Sequence, residues 1–282
     1  MKHYNPTTLA DFKFEFVSSE IVHGLEEAKY RSLDCLNQST LKKALAVSPF
    51  HADWLRANPD RTDAMAFGSA LHTFVLEPEN FPEQYAVAPV CDRRTTQGKA
   101  AWNDFIADIG HREPIKADDY EDLQGMKASV GNLFQSKHGK TYVESAFISE
   151  ILVTEGEFKG KRVRLKGKLD CYHEHEDHAV IKDLKSVADI SNVGGASYHS
   201  NWAMQSGLYK DALEFAIRKP ASFIYVCVGK TKPFDSRVYQ CSKEMLAKGT
   251  VEYSRALHMW LSWEALGKPN TATFLGVQEL NG

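Results

Sequence analysis

The sequence predicts a single α/β domain with a helical N-terminal part. Apolar and charged residues alternate from Arg162 to Tyr172, which is the period of a strand with one buried face. Several longer segments carry the broader apolar stripe of amphipathic helices. No internal repeat, low-complexity segment or linker divides the 282 residues. We therefore expect residues 39–282 to form one domain behind an N-terminal arm or irregular cap at residues 1–38.

The composition is that of an ordinary globular protein, with 43% hydrophobic and 25% charged residues. No apolar run is long enough to span a membrane, and the N-terminus lacks the apolar core of a signal peptide. The five cysteines are scattered and never spaced as Cys-x-x-Cys. This pattern argues against a disulfide framework, a zinc ribbon or a cysteine-ligated iron–sulfur cluster, and it predicts a cytoplasmic protein.

The net charge of −3 does not by itself predict nucleic-acid binding. Basic residues nevertheless cluster in one short stretch, at Lys159, Lys161, Arg162, Arg164, Lys166 and Lys168. An acidic protein can carry a basic groove, because net charge describes only the average surface. A lysine-rich strand face that guards against edge pairing is the alternative interpretation.

The N-terminal half contains several predicted helices. Ser39 is a suitable N-cap for a short helix that ends near Ser48, and residues 49–58 add a further turn or helix. The segment from Thr62 to Leu76 predicts an amphipathic helix. This helix contains His72, and a lone histidine on an apolar helix is either a hydrogen-bonded core residue or a metal ligand.

A polar, basic loop follows a short predicted strand at residues 85–88. It begins at Cys91 and leads into a helix over residues 99–109. Arg93, Arg94 and Lys99 are either solvated or placed to grip a phosphate, because cationic groups beside a helix N-terminus suit an anion. Another amphipathic helix is predicted over residues 118–137.

A three-stranded antiparallel meander is predicted over Val143–Thr154, Arg162–Tyr172 and Ala179–Ser186. A turn near residue 176 places Asp170 across from Asp183, and Lys168 across from Lys185. Opposed Cβ atoms lie roughly 4.5–5.5 Å apart, a distance at which two carboxylates repel each other. The pair therefore predicts either a bound divalent cation, since such cations take carboxylate oxygens, or a solvated hairpin with charges on its wet face.

The remaining third of the chain is predicted to add a helix at residues 201–218, strands at residues 223–229 and 235–241, and a closing helix at residues 242–266. Gln205 and Tyr209 are four residues apart and therefore lie on one face of the first of these helices. That pair is either a surface polar contact or part of a site. The three histidines of the hairpin turn, at positions 173, 175 and 178, are interpreted as solvent-exposed, with a second, softer metal site as the alternative.

Taken together, these residues resemble the PD-(D/E)xK nuclease core, through Asp170 and the tripeptide Asp183-Leu184-Lys185. More specifically, the sequence resembles RecE-like exonucleases (the C-terminal domain of exonuclease VIII). That resemblance is carried by GSALHTFVLEPENF, the RRTTQGK loop with Trp102 and Phe105, IKDLKSVADI and QSGLY. It implies a restriction-endonuclease-like fold, in which helices flank a central mixed sheet.

The resemblance also implies which residues hold a metal. Asp170, Asp183 and the Leu184 carbonyl would ligate Mg²⁺, with Mn²⁺ able to substitute. His72 would be an additional ligand from the helical part. Glu144, at the start of the meander, would reach the metal and take part in catalysis with the two aspartates.

The remaining motif residues are implied to act on the substrate. Lys185 would orient or deprotonate the attacking water. Gln205 and Tyr209 would position Lys185 or the scissile phosphate. The second acidic position is often glutamate in the family, and Asp183 is shorter than glutamate by one methylene.

The activity implied by the resemblance is a Mg²⁺-dependent exodeoxyribonuclease of phage or prophage type. It would degrade double-stranded DNA from 5′ to 3′ and leave 3′ single strands for recombination by annealing. Such enzymes act as closed rings, a trimer or tetramer, around DNA and pass the strand to a RecT-like annealing protein. Arg93, Arg94 and Lys99 would contact the 5′-phosphate or nearby backbone. An endonuclease or single-strand nuclease on the same core, and a catalytically silent DNA-binding module, are the alternatives.

Overall fold

The computed structural model describes residue 4 and residues 6–276. Its strands are β1 (Lys13–Val22), β2 (Leu36–Asn37), β3 (Tyr85–Val87), β4 (Glu113–Ile115), β5 (Lys140–Glu155), β6 (Arg162–Glu174), β7 (Ala179–Val187), β8 (Ala221–Gly229) and β9 (Ser236–Gln240). Its helices are α1 (Glu27–Ser32), α2 (Gln38–Ala46), α3 (Pro49–Ala57), α4 (Asp63–Leu76), α5 (Phe81–Gln84), α6 (Thr96–Asp108), α7 (Ala117–Val130), α8 (Val193–His199), α9 (Trp202–Ile217), α10 (Lys243–Ala265) and α11 (Thr271–Leu275).

A seven-stranded mixed sheet forms the centre of the molecule. Its order is β1-β5-β6-β7-β8-β9, and β2 pairs with β6 beside this path. The β7–β8 and β2–β6 pairs are parallel, and the other neighbours are antiparallel. β3 and β4 form a separate parallel pair. The predicted meander of β5, β6 and β7 and the predicted mixed sheet between helices are both confirmed.

Helices cover both faces of the sheet and create two hydrophobic cores. The first core joins buried residues of α2, α9 and α10 to one face. The second core joins buried residues of α4 and α7 to the other face. Neighbouring residues of β8 show the division, because Tyr225 packs in the first core and Val226 in the second.

In both β5 and β6 the alternation of side chains between the two faces of the sheet is interrupted once. The two interruptions lie side by side in the sheet. Leu169 packs in the first core and Cys171 in the second, although residues two apart in a regular strand share a face. In β5, Tyr142 and Phe147 both pack against the first core, although they are an odd number of residues apart. The predicted strict alternation, with Leu169 and Cys171 on one face, is therefore wrong at this point.

β6 has two different neighbours along one edge. β7 pairs with it only from Cys171 to Glu174, whereas β2 pairs with Leu165 and Lys166. Between these contacts β6 and β7 separate, and we call this region, residues 167–170 of β6 and 183–187 of β7, the strand fork. The observed register is the predicted one, since the next pair after Cys171 and Lys182 would be Asp170 and Asp183. The predicted pairing of Lys168 with Lys185 is not formed, because the strands have already separated there.

The N-terminal region is more regular than predicted. β1 runs antiparallel beside β5 over Lys13–Val22, so this part of residues 1–38 is an edge strand and not an arm or irregular cap. Polar residues of β1 also make contacts within the sheet, so the strand lacks a clear alternation of apolar and polar residues. The Ser19 hydroxyl, for example, hydrogen-bonds the Ser149 hydroxyl across the pair at 2.8 Å.

Two further boundaries differ from the prediction. The segment predicted as loop after β7 contains the short helix α8. α7 ends at Val130, earlier than predicted, because Gly131 follows with a φ of 50° that a continuing helix does not adopt. None of the described helices combines the length and apolar character needed to cross a membrane.

Gly167 provides a test of how closely α9 must approach the sheet. A Cβ at Gly167 would overlap the Phe147 ring and lie 2.8 Å from the Tyr209 ring. We expect Gly167→Ala to lower the free energy of unfolding by about 1–3 kcal/mol, because both rings must move away. Gly68→Ala is the matched control. A Cβ there has no neighbour within 4 Å, and the substitution should stabilise α4 by about 1 kcal/mol through helix propensity. Urea unfolding measures both, and a Gly167→Ala variant as stable as the wild type would contradict the packing described.

Candidate metal centre

Asp170 and Asp183 lie on the two arms of the strand fork. Their exposed fractions are 8% and 1% respectively. The backbone N–H of Leu184 donates a hydrogen bond to Asp170 Oδ2 at 2.7 Å. This side-chain contact takes the place of the strand-to-strand hydrogen bond that is lost where β6 and β7 separate. The fork therefore holds two buried carboxylates close together.

His72 reaches the fork from α4, on the side of the second core. Its Nε2–H donates to the Leu184 carbonyl at 3.0 Å, and its Nδ1 lies 3.4 Å from Asp170 Oδ2. Both ring nitrogens thus face acceptors, an arrangement that suits the protonated ring. Burial lowers the pKa of His72, but the charge and hydrogen bond of Asp170 outweigh that effect and raise the pKa to about 9. The His72 side chain therefore contacts both Asp170 and the Leu184 carbonyl, two of the groups predicted to hold the metal.

Glu144 supplies a third carboxylate to the fork. It lies opposite Asp170 in the β5–β6 register, since Val143 faces Cys171 and Ser145 faces Leu169. Its φ of 45° is left-handed, a conformation that costs on the order of 1–3 kcal/mol for such a residue. One ligand atom from each of Glu144, Asp170 and His72 lies within 4.8 Å of the others. Burial and the charge of Asp170 raise the pKa of Glu144 to about 8.

Asp183 lies outside this group of three and is held by other partners. Gln205 Nε2 donates to Asp183 Oδ2 at 2.6 Å, and the Lys185 ammonium lies 2.5 Å from Oδ1. Oδ1 is buried and has this ion pair as its close partner. Burial and the charge of Asp170 raise the pKa of Asp183 to about 6. Burial also acts to raise the pKa of Asp170, but the charge and hydrogen bond of His72 outweigh it and lower that pKa.

Lys185 carries a positive charge at the fork. Burial lowers its pKa, but the carboxylates of Asp183 and Asp170 outweigh burial and raise it. A charged ammonium can orient a water or a phosphate by donating hydrogen bonds, and it has no lone pair to accept a proton. Of the two predicted roles, orienting the attacking water is the one that this electrostatic state favours.

α9 brings Gln205 and Tyr209 to the fork from the side of the first core. Gln205 contacts Asp183, as described above. The Tyr209 ring packs edge-on against Phe147 at 5.1 Å, and its hydroxyl lies against the backbone of Lys168. Within the described part of the chain, no hydrogen bond joins Gln205 or Tyr209 to Lys185. Gln205 is therefore connected to Lys185 only through Asp183.

The donor set fits a hard divalent cation. Three carboxylates converge on the fork, and the buried Oδ1 of Asp183 has only the ion pair with Lys185 as a partner. Like charges this close are unfavourable unless a cation or proton lies between them. Carboxylate and carbonyl oxygens with one imidazole are ligands that Mg²⁺ and Mn²⁺ accept. His72, Glu144, Asp170, Asp183 and the Leu184 carbonyl are the groups that would hold it.

Lys42, on α2, is close enough to Lys185 for the two positive charges to interact, and the sequence pattern did not single it out. β2 enters α2 directly beside the fork. Burial lowers the pKa of Lys42, and the positive charges of Lys43 and Lys185 lower it further. No ion pair holds this ammonium within the described residues. In sequence, Lys42 is one more polar position of an amphipathic helix, so only the fold places it beside Lys185.

The three basic residues of the loop before α6 do not contact the fork in the described residues. Arg93 lies 4.2 Å above the Trp102 ring. Arg94 is held by both oxygens of Asp92 at 3.0 Å, so its charge is locally balanced. Lys99 is exposed on the first turn of α6. Their predicted contact with DNA stays a prediction.

The histidines of the hairpin turn differ from one another. His173 belongs to β6 and is 1% exposed, so its interpretation as a solvent-exposed turn residue is wrong. Its Nδ1 hydrogen-bonds the Thr141 hydroxyl at 2.9 Å, and burial lowers its pKa to about 4. His175 and His178 stack on each other with ring centroids 4.4 Å apart.

Comparison with known proteins places the chain among nuclease-like folds. A family model described as a PDDEXK-like domain of unknown function (DUF3799) matches residues 39–270. The crystal structure of a candidate exonuclease from Eubacterium rectale aligns with a TM-score of 0.53 and 15% identity, over 88% of this chain and 89% of that one. Rai1 of Scheffersomyces stipitis, solved with (3′-NADP)+ and calcium ion, aligns at 13% identity over 90% of this chain and 77% of that one. Its TM-score is 0.27, too low to indicate a shared fold. No curated protein matches the sequence.

Binding of a divalent cation at the fork should release protons. The pKa of His72 is about 9 and that of Glu144 about 8, so both groups carry a proton at neutral pH. A metal needs the neutral imidazole and the ionised carboxylate. Affinity for Mg²⁺ or Mn²⁺ is therefore expected to rise between pH 6.5 and 9.

The folding stability of the metal-free protein should show the opposite trend. Both groups have a higher pKa folded than unfolded, where the values are 6.5 for His72 and 4.5 for Glu144. Their contribution is therefore lost as pH rises through the folded values. Thermal unfolding with and without Mn²⁺ at pH 6.5, 7.5 and 9 checks both trends together. The increase in Tm caused by Mn²⁺ should grow with pH in the wild type and flatten in a Glu144→Gln, His72→Gln variant. An increase that is independent of pH in the wild type would contradict the linkage.

Proposed function

Because the chain belongs to the PDDEXK-like domain family, whose model matches residues 39–270, we propose that it is a Mg²⁺-dependent exodeoxyribonuclease. It degrades double-stranded DNA from 5′ to 3′ and leaves 3′ single strands for recombination by annealing. The observation that supports this proposal most is the fork itself. Asp170 and Asp183 are buried on separated strands, with the charged Lys185 beside them and one carboxylate oxygen lacking a hydrogen bond.

Phosphodiester hydrolysis needs a positioned water and positive charge near the phosphate oxygens. A divalent cation held by these residues would supply Lewis acidity toward the phosphate. The Lys185 ammonium, on the same strand face as Asp183, donates hydrogen bonds that orient the attacking water. Lys42 adds a second cation beside it, which favours the negatively charged substrate and the developing charge of the transition state.

The remaining residues keep these groups in place. Gln205 donates to one oxygen of Asp183 and leaves the other free of hydrogen bonds. His72 and the Leu184 N–H together fix the orientation of the Asp170 carboxylate. Tyr209 packs on β6 where that strand enters the fork, so it supports the arm that carries Asp170.

A closed ring would explain how an acidic protein can stay bound to DNA while it degrades a strand from one end. With a net charge of −3, the average surface does not attract a polyanion. A closed trimer or tetramer needs positive charge only on the surface that faces the duplex. We propose that Arg93, Lys99 and Lys42 contribute to that surface, and that a RecT-like annealing protein receives the single strand.

Cleavage of linear duplex DNA tests the proposed activity. With Mg²⁺, the wild type should release mononucleotides from linear duplex and leave a covalently closed circle intact. Asp183→Ala and Lys185→Ala should each slow release by about 100-fold or more, because each removes a group of the reaction centre. Nicking of the closed circle would show an endonuclease on the same core. Equal lack of release by the wild type and both variants, with DNA binding intact, would leave a DNA-binding module.

The salt dependence of DNA binding tests the basic loop. Arg93→Ala and Lys99→Ala should each reduce the slope of log affinity against log salt by about 1, because each removes a phosphate contact. Arg94→Ala is the control on the same loop, with a smaller expected effect because Asp92 already balances its charge. Binding to a duplex in EDTA, followed by fluorescence anisotropy, measures the three slopes. Unchanged slopes for Arg93→Ala and Lys99→Ala would remove this loop from the interface.

A further inference from the structure

We propose that His23 and Tyr142 form a stacking surface for an unpaired nucleobase beside the candidate metal centre. This inference rests on the proposed function, because it assigns a binding site to the same DNA substrate. The ligand is the base of a nucleotide at a frayed DNA end, whose phosphate lies at the strand fork.

Three rings lie nearly parallel at this position. The His23 and Tyr142 ring centroids are 4.5 Å apart with an interplanar angle of 13°. The Tyr142 and Tyr172 centroids are 4.7 Å apart at 19°. Tyr172 is 2% exposed, Tyr142 is half-buried and His23 is exposed. The His23 and Tyr172 centroids are 6.3 Å apart at 23°, so the three rings form a compact cluster and not a column, with the exposed His23 ring on its solvent side.

The orientation of the outer ring is fixed by a hydrogen bond. The Ser145 hydroxyl donates to the Val143 carbonyl at 3.2 Å, so its proton is already engaged. His23 Nδ1, 2.9 Å from the same hydroxyl, therefore donates to it. Ser145 is fully buried. A ring held in this way loses little freedom when a base stacks on it.

The surface lies next to a residue of the candidate metal centre. Tyr142 precedes Glu144 by two residues, and Ser145 follows it directly. Two residues of a strand span about 7 Å, so the ring pair and the fork lie close together along β5. Flat ring faces attract any base, because every base has a π-face, so the site would select an unpaired nucleotide and not a sequence.

The chain that follows His23 is held across β6 by lysines. Lys166 is 6% exposed, and its ammonium donates to the carbonyls of Tyr30 at 2.7 Å and Leu33 at 2.8 Å. Lys168 pairs with Glu27 at 2.7 Å. α1 itself contains no buried residue, and both lysine ammoniums also lie over the Tyr30 ring, so contacts from the two lysines help to hold the segment from His23 to Leu33 beside β6.

Fluorescence of a base analogue tests the proposal without cleavage. The full-length protein in EDTA is titrated with duplexes that carry one unpaired terminal 2-aminopurine, on the 5′ or the 3′ strand in separate experiments. With wild type, we expect quenching for one of the two strands. Replacing that nucleotide by an abasic one should weaken binding about 10-fold, the scale of one base stacked on an aromatic ring.

His23→Ala separates stacking from general DNA binding. In this variant we expect the quenching to disappear and the abasic penalty to fall below about 2-fold, because the partner of the base is gone. His51→Ala is the matched control. It removes another histidine stacked on an aromatic ring, that of Trp54 at 6.4 Å, and should keep the wild-type response.

The possible failures are distinguishable. If both duplexes bind the wild type but neither is quenched, or if His23→Ala keeps the full abasic penalty, the stacking surface is refuted and the nuclease proposal is untouched. If no duplex binds and linear DNA is not degraded with Mg²⁺, the proposed function itself fails and the stacking surface fails with it.

Discussion

The early end of pairing between β6 and β7 is the constraint on which the candidate site depends. Pairing stops at Cys171 and Lys182, one residue before two aspartates would face each other. The short strand β2 then takes over the edge of β6. Because the strands separate there, helices on both faces of the sheet reach the same point. α4 delivers His72 from one face, and α9 delivers Gln205 from the other.

The fork concentrates unfavourable features in one place. Its carboxylates are buried near one another, the backbone of Glu144 is left-handed, and an oxygen of Asp183 lacks a hydrogen bond. Each feature costs stability alone, and protons on His72 and Glu144 relieve part of the charge in the absence of metal. A cation at the fork would replace those protons and relieve the same repulsion. The strained backbone and the perturbed pKa values therefore occur at the same place in the fold.

Site residues could be predicted from the sequence where a local pattern places them. They could not be predicted where long-range packing brings them to the site. The register that opposes Asp170 and Asp183 follows from the turn between two short strands, and the structure reproduces it. The change of face at Glu144 and Asp170 could not be predicted from the sequence. The only strand pattern that a sequence shows is regular alternation of the two faces. β1 was missed since polar edge residues weaken that period. Lys42 comes near Lys185 only because β2 runs beside β6, and His23 meets Tyr142 only because β1 pairs with β5; no local pattern encodes these long-range contacts.

The most direct test of the central claim is the position of a bound cation. Anomalous scattering from a crystal soaked in Mn²⁺ locates the ion without reference to activity. We predict a peak at the strand fork, beside the carboxylates of Asp170 and Asp183. An empty fork, or a sole peak at His175 and His178 in the hairpin turn, would contradict the claim that the separation of β6 and β7 creates the metal centre.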